Sequence, residues 1–176
     1  MIPALPAERP RNRAAAKPLK LERTLTINAP PDRVLNAFFD VHALRTWWGA
    51  VNAVTMPRTL GPYALEWPTS ELRDEVLGPL GGVFRGIVMQ FESGAGFFVA
   101  DLFWLPPEGD PIGPMGLDVA VSVSPASRLE IAVTELRVTQ SGFEDNARWR
   151  RYYEVIGLGW DRALRTLKQL LENEPR

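Results

Sequence analysis

Cysteine is absent from this 176-residue chain, and histidine occurs once, at His42. Protein zinc sites rely on Cys and His ligands, while thiol nucleophiles and disulfides require Cys. The composition therefore excludes a Cys or His zinc site, a catalytic thiol, a disulfide framework and a paired-histidine relay. We expect neither a metal ion nor a cofactor.

The signatures of common nucleotide and serine enzymes are also missing. No Ser lies in a Gly-x-Ser-x-Gly elbow, and neither a phosphate-binding loop nor a Gly-x-Gly-x-x-Gly fingerprint occurs. No segment approaches 18 consecutive apolar residues, so a membrane span is not expected. The formal net charge of -1 provides no overall field that would attract nucleic acid, and we expect no nucleic-acid partner.

What the chain contains is typical of a globular protein, with 45% hydrophobic and 23% charged residues. A chain of this length buries a sizeable core without disulfides. Residues 1–19 differ from the rest because they are basic and rich in proline, and we expect them to form a flexible arm. Residues 20–176 are expected to form one domain. The arm has no apolar stretch of the kind found in secretory signals, which favours a cytoplasmic location.

The hydrophobic pattern of the first half predicts a strand, two short helices and then further strands. Residues 19–27 alternate between apolar and polar side chains, as a half-buried strand does. Pro30 and Pro31 suit the start of the first short helix, and the second ends at Gly49. Residues 50–137 have the pattern of antiparallel strands separated by turns, with a helical turn expected at 70–77.

The C-terminal part of the chain predicts one long helix. Ser141 and Glu144 have the spacing of a capping box, which would place the helix start there. An apolar stripe at helical spacing then runs from Trp149 to Leu171, with the charged side chains off it. Such a helix buries one face, here against the antiparallel strands.

A family resemblance lies in three stretches of the sequence. They are Ile27-Asn-Ala-Pro-Pro-Asp-Arg-Val34, Asp40-Val-His-Ala-Leu-Arg-Thr-Trp-Trp-Gly49 and Gly159-Trp-Asp-Arg-Ala-Leu-Arg-Thr-Leu-Lys-Gln-Leu-Leu-Glu172. Together they resemble the START-like (SRPBCC) superfamily, in particular bacterial homologues of the activator of heat-shock-protein ATPase. The resemblance covers about residues 20–172.

This resemblance implies an α+β helix-grip fold, in which a curved antiparallel β-sheet wraps around a long C-terminal α-helix and two short helices follow the first strand. It also implies non-enzymatic binding of a small hydrophobic ligand, such as a lipid or a polyketide-like molecule, between sheet and helix. Fold alone does not determine function, so two alternatives stay open. One is a cyclase- or hydrolase-type enzyme that uses a pocket carboxylate. The other is a module that contacts a chaperone ATPase. The expected lack of a second domain argues against this alternative.

Apolar side chains on the expected cavity walls are the candidates for ligand contact, because large aromatics supply much of the contact area in apolar sites. Each has a competing interpretation as ordinary core, and at least one of Trp47 and Trp48 is expected to be core. The candidates are Trp47, Trp48, Tyr63, Trp67, Phe103, Val121, Ile131, Val133, Tyr153, Ile156 and Trp160.

Two carboxylates complete the candidate site. The alternation through Val99 and Phe103 brings Asp101 to the inward face of its strand, and continuing the phase of Val133 does the same for Glu135. A carboxylate in an apolar pocket has a raised pKa and can act as an acid or base. The alternative, which we favour for both, is that the strand ends turn to solvent or a bulge shifts the phase.

Two loops and the oligomeric state remain open at this level. The stretch 50–80 and the Pro- and Gly-rich connection 106–116 are both long enough to border a cavity mouth. Exposed strand edges are compatible with a homodimer, which the sequence does not decide.

Overall fold

A computed structural model describes residues 19–127 and 132–173. The basic arm predicted for residues 1–19 lies outside the described residues except for Leu19, and its expected flexibility stays a prediction. The strands are β1 (Lys20–Ile27), β2 (Asn52–Thr55), β3 (Pro62–Trp67), β4 (Arg73–Asp74), β5 (Gly78–Pro79), β6 (Gly82–Glu92), β7 (Gly96–Leu105), β8 (Ile112–Val123) and β9 (Thr134–Ser141). The helices are α1 (Pro31–Asn36), α2 (Val41–Trp47) and α3 (Ala147–Asn173).

Seven strands form one antiparallel sheet in the order β1-β9-β8-β7-β6-β3-β2, and β4 and β5 form a separate two-stranded hairpin. Strand pairing shifts register within β6–β7 and within β7–β8. Helix α3 packs on one face of this curved sheet, alongside β1 and α2. The architecture is the predicted α+β helix-grip fold.

The length of α3 follows from its apolar stripe. Trp149, Trp160, Leu164, Leu167 and Leu171 are all buried at helical spacing, as the sequence predicts. Each large side chain removed from water contributes about 1.5–3 kcal/mol, so tertiary packing rather than helix propensity holds the helix in place. Among the described residues, no helix combines the length and hydropathy that crossing a bilayer demands.

The start of α3 differs from the prediction. Strand β9 extends through Ser141, so Ser141 is not a helix cap. The helix begins at Ala147, and the side chain of Asn146 accepts a hydrogen bond from the backbone N–H of Trp149 at 3.0 Å. Asn is as good a capping residue as Ser. The predicted capping box was therefore wrong, because the helix is capped by Asn146 and not by Ser141.

The stretch between β3 and β6 also differs from the prediction. The sequence favoured a helical turn at 70–77, whereas the chain forms the β4–β5 hairpin there. Asp74 stabilises the turn because its Oδ1 accepts hydrogen bonds from the backbone N–H groups of Val76 and Leu77, at 2.9 and 3.0 Å. This is the local bonding by which Asp favours turns over helix.

Candidate functional site

A cavity of about 560 Å³ lies between the middle of α3, the C-terminal end of α2 and one end of the sheet, with the β4–β5 hairpin beside it. Its lining residues are Thr46, Trp47, Trp48, Gly49, Trp67, Pro68, Leu77, Leu80, Gly81, Phe84, Trp104, Tyr152, Val155, Ile156, Gly159, Arg162, Ala163 and Thr166. Several of these are exposed, including Gly49, Pro68, Gly159 and Arg162, so they form a rim open to solvent. Ligand cavities of about 300–1,000 Å³ hold drug-sized molecules.

Tryptophans at the end of α2 form one wall. Helix α2 is capped by Asp40, whose Oδ1 accepts from the Ala43 N–H at 2.7 Å, and it ends at Trp47. The ring of Trp47 stacks on that of Trp48 with centroids 4.9 Å apart, and Trp48 meets Trp67 edge-on at 5.3 Å. Such offset or edge-on pairs contribute about 0.5–1.5 kcal/mol beyond burial. The wall is therefore a rigid aromatic surface.

Strand β7 and helix α3 supply the opposite wall. Trp104 of β7 and Tyr152 of α3 stack with ring centroids 5.4 Å apart. The Tyr152 hydroxyl accepts a hydrogen bond from Gln140 Nε2 at 3.2 Å, and Gln140 Oε1 accepts one from Trp160 Nε1 at 3.0 Å. Burial raises the pKa of Tyr152, and the bond from Gln140 only partly offsets this, so its phenol stays protonated.

Closely approaching backbone shapes the wall where β3 and β7 meet the start of β6. A Cβ on Gly81 would lie 2.2 Å from the Pro68 carbonyl oxygen, and one on Gly82 would lie 2.1 Å from the Leu105 oxygen. Both residues also have positive φ, at 104° and 86°. Only glycine fits these two constraints together. The Gly81 carbonyl then accepts the Trp104 Nε1–H at 2.7 Å, which fixes the ring against the cavity.

The β4–β5 hairpin contributes Leu77 to the cavity, and Leu80 follows it. Asp74 ties the hairpin to α3, because its Oδ2 accepts from Arg151 Nε at 2.7 Å. Desolvation raises the pKa of Asp74, but the hydrogen bonds from Leu77 and Val76 and the ion pair with Arg151 outweigh it and lower the pKa overall. The hairpin is therefore held over the cavity by an ionised carboxylate.

Polar atoms of the lining are mostly bonded within the protein. The indole N–H groups of Trp47 and Trp67 donate to the carbonyl oxygens of Ala37 and Trp48, at 2.8 and 2.7 Å. The hydroxyls of Thr46 and Thr166 donate to backbone carbonyls one turn earlier in their helices. The cavity consequently presents mainly ring faces and aliphatic carbon.

Charge in the lining is limited to one side chain. Among the residues that the structure describes, no carboxylate lines the cavity, and Arg162 on α3 is the single charged side chain. Within the described residues, no three His, Cys, Asp or Glu side chains are grouped closely enough to hold a metal ion. These described lining residues supply no carboxylate or imidazole that could act as a base.

The structure brings four of the predicted site residues together in the lining: Trp47, Trp48, Trp67 and Ile156. Trp160 is buried just beneath and packs on Trp48 with ring centroids 4.5 Å apart. The others take different positions. Tyr63, Val121 and Val133 are buried away from the lining, Tyr153 is half-buried against Phe143, and Ile131 lies outside the described residues.

Asp101 and Phe103 do not point inward, because a bulge interrupts β7. For Asp101 this is the alternative favoured from the sequence, whereas the inward position predicted for Phe103 was wrong. Phe97 and Val99 are buried, but pairing with β8 jumps from Val99 to Leu102, and the buried positions then continue at Leu102 and Trp104. Asp101 occupies the extra position with φ at 53° and is exposed. Phe103 consequently faces away from the cavity, and Trp104 takes the place predicted for it.

Glu135 does not point inward either, which again agrees with the alternative favoured from the sequence. Val133 and Thr134 are both buried, so the alternation changes phase at the start of β9. From Thr134 onward the inward residues are even-numbered, through Leu136 to Gln140. Glu135 is exposed on the outer face, opposite Ser122 and Thr26 in the neighbouring strands.

Sequence reasoning missed five lining aromatics and leucines: Leu77, Leu80, Phe84, Trp104 and Tyr152. Tyr152 carried a usable signal, since it lies on the helix face shared by Val155 and Ile156, three and four residues later. Leu77 and Leu80 carried none, because a two-residue strand has no periodicity to detect. Of the two loops expected at a cavity mouth, 50–80 supplies lining residues, while 106–116 supplies none.

Together, the fold and the cavity define a helix-grip protein with an aromatic-walled cleft under its C-terminal helix. Among solved structures, the chain is similar to protein MLL2253 from Mesorhizobium loti, with 20% identity over 90% of this chain and 100% of that one, and a TM-score of 0.66. It is also similar to CV1439 from Chromobacterium violaceum, with 21% identity over 89% of this chain and 100% of that one, and a TM-score of 0.58.

A third similar structure is the Aha1 dimer from Colwellia psychrerythraea, with 15% identity over 88% of this chain and 97% of that one, and a TM-score of 0.58. No protein-family model and no curated protein matches the chain. Identities this low establish a shared fold and nothing about activity.

Proposed function

We propose that this protein is a START-like member that binds a small, predominantly apolar molecule in the cleft beneath α3, without transforming it. The observation that carries the proposal is the cavity of about 560 Å³ that the protein leaves unfilled between Trp48, Trp104 and Ile156. Clefts of about 300–1,000 Å³ lined mainly by apolar and aromatic side chains are typical of small-molecule sites. An unfilled space of this size among ring faces therefore supports a role in binding a small molecule.

The chemistry of the lining supports an apolar ligand. Three of its four tryptophans, Trp47, Trp67 and Trp104, donate their indole N–H groups to backbone carbonyls and present ring surface to the cavity. Burying apolar ligand surface there contributes about 25 cal/mol per Å². A strongly polar ligand would lose its hydration without gaining compensating hydrogen bonds.

The enzyme alternative has less support. It required a carboxylate or a tyrosine directed into the cavity, and both predicted carboxylates, Asp101 and Glu135, are exposed on other surfaces. Tyr152 does line the cavity, but burial raises its pKa, so it is a poor proton acceptor at neutral pH. The Tyr152 hydroxyl already accepts a hydrogen bond from Gln140, and this structural role explains why a tyrosine lies there.

The proposal is tested by fluorescence titration with N-phenyl-1-naphthylamine, a neutral aromatic probe that brightens in apolar sites. We expect saturable binding with one site per chain. Gly159→Phe places a ring in the cleft, where the position of its Cβ has no atom within 4 Å, and this variant should weaken binding about tenfold or more.

Leu158→Phe is the matched control, because Leu158 is 72% exposed on the solvent side of the same helix turn. It should bind the probe as the wild type does. Absence of saturable binding to the wild type, or equal affinity in the Gly159→Phe variant, would contradict the proposed function.

A further inference from the structure

Arg162 is the one charged side chain among the described residues that line the cavity, and it has no ion-pair partner there. The side chains of Arg23, Arg151 and Lys168 pair with Asp161, Asp74 and Glu172, respectively. Within residues 19–127 and 132–173, Arg162 takes part in no salt bridge. Its own helix offers no acidic side chain three or four residues away, since those positions hold Leu158, Gly159, Arg165 and Thr166.

The position of Arg162 places this unpaired charge at the cavity. It lines the cleft one turn after Gly159, and it is exposed, so its guanidinium lies at the rim. The absence of a side chain at Gly159 leaves the helix surface beside it bare. The cation therefore lies at a solvent-exposed part of the rim, beside the bare surface at Gly159.

A second hydrogen-bond donor in the lining is also without a protein acceptor. Trp48 is the one lining tryptophan whose Nε1–H makes no hydrogen bond to a described group, in contrast to Trp47, Trp67 and Trp104. The described part of the lining thus combines two unused donors, Trp48 and Arg162, with no carboxylate. That combination favours a ligand group that accepts hydrogen bonds and carries negative charge.

We propose that the ligand of this cleft is an amphipathic anion, with a flat apolar body between the aromatic walls and an oxyanion, such as a carboxylate, at Arg162. This inference rests on the proposed function and specifies its ligand class. The apolar walls supply most of the affinity. Arg162 selects, among apolar molecules of similar size, those that carry an anionic end, and it orients them with that end at the rim.

Two probes of nearly the same shape test the inference. N-phenyl-1-naphthylamine is neutral, and 8-anilinonaphthalene-1-sulfonate has the same aromatic body with an added sulfonate. We expect the wild type to bind the sulfonate with the higher affinity. Arg162→Gln should reduce that preference, measured as the ratio of the two dissociation constants, about three- to tenfold.

Ionic strength provides a second test. Raising it from about 0.1 M to 1 M should bring the two dissociation constants of the wild type closer together, since the screening length falls from about 10 to 3 Å.

Arg165→Gln is the matched control, because Arg165 is an exposed arginine on the same helix and is not part of the lining. Its ratio should equal that of the wild type. An unchanged ratio in Arg162→Gln, or sulfonate binding that survives Gly159→Phe, would overturn the inference while neutral-probe binding still supports the proposed function. If the wild type does not bind the neutral probe at all, this result would instead contradict the proposed function, and the inference with it.

Discussion

At the scale of single residues, hydrogen bonding determines which atoms reach the cavity. Trp67 Nε1 donates to the Trp48 carbonyl and Trp104 Nε1 to the Gly81 carbonyl, and each bond fixes both the ring and its orientation. An indole has one donor and no acceptor, so a tryptophan bonded in this way presents only carbon elsewhere. The apolar character of the cleft is thus a consequence of where these donors are used.

Tyr63 illustrates the opposite case and gives the first stability prediction. It is fully buried, and its hydroxyl is the one buried side-chain N or O atom among the described residues without a hydrogen-bond partner. An unpaired buried polar group costs about 1–3 kcal/mol. Tyr63→Phe should therefore raise the free energy of unfolding by about 1 kcal/mol, measured by urea denaturation.

Tyr152→Phe is the comparison for that measurement. The Tyr152 hydroxyl accepts from Gln140, so its removal should lower the free energy of unfolding by about 1 kcal/mol. A clear loss of stability in Tyr63→Phe would show that its hydroxyl has a partner in solution and would refute the prediction.

At the scale of elements, the β4–β5 hairpin closes one side of the cleft although it contains only two residues per strand. So short a ribbon is not stable in isolation. Asp74 joins it to α3 through Arg151, and Arg73 joins it to the 106–111 connection through Glu108 at 2.8 Å. The hairpin therefore depends on charge pairs more than the main sheet does.

This dependence predicts a response to acid. The folded state lowers the pKa of Asp74, so ionised Asp74 stabilises the closed hairpin above its unfolded pKa of about 3.9. That contribution is lost as the pH falls through the still lower folded pKa. Amide hydrogen exchange at residues 74–79, corrected for its intrinsic pH dependence, should accelerate relative to the main sheet below about pH 4.

Asp74→Asn should show the accelerated exchange already at neutral pH, by about three- to tenfold, because the charge facing Arg151 is removed. Asp145→Asn is its control, since the Asp145 side chain is 88% exposed where it pairs with Arg150. Equal exchange in the Asp74→Asn variant and the wild type would show that the ion pair does not hold the hairpin.

Sequence patterns were sufficient for the long elements and insufficient for the short ones. The apolar stripe of α3 and the alternation in β1 and β8 extend over enough residues to define both type and face. One extra residue at Asp101 reverses which side chains of β7 face inward from Leu102 onward. The alternation of apolar and polar residues before the bulge contains no signal that predicts it. The hairpin at 73–79 was too short to show a period.

At the scale of the whole molecule, the sheet, α2 and α3 converge without filling the space between them. Trp47 and Trp48 were predictable as wall residues from the motif that contains them, and Ile156 from the helix stripe. Trp104, Phe84 and Leu77 were not, because their placement depends on how β7 and the hairpin pack against α3. A cavity is a property of the assembled elements, which no one segment encodes.

The central claim, that this cleft receives an apolar molecule, is tested most directly by a ¹⁵N–¹H spectrum of the six tryptophan indoles during titration with N-phenyl-1-naphthylamine. Ring currents of a bound aromatic should shift the signals of Trp48, Trp67 and Trp104, which line the cleft, and leave that of Trp149, which does not. Saturable shifts confined to the lining tryptophans are the predicted result. Shifts confined to Trp149, or no shift at any indole, would contradict the account.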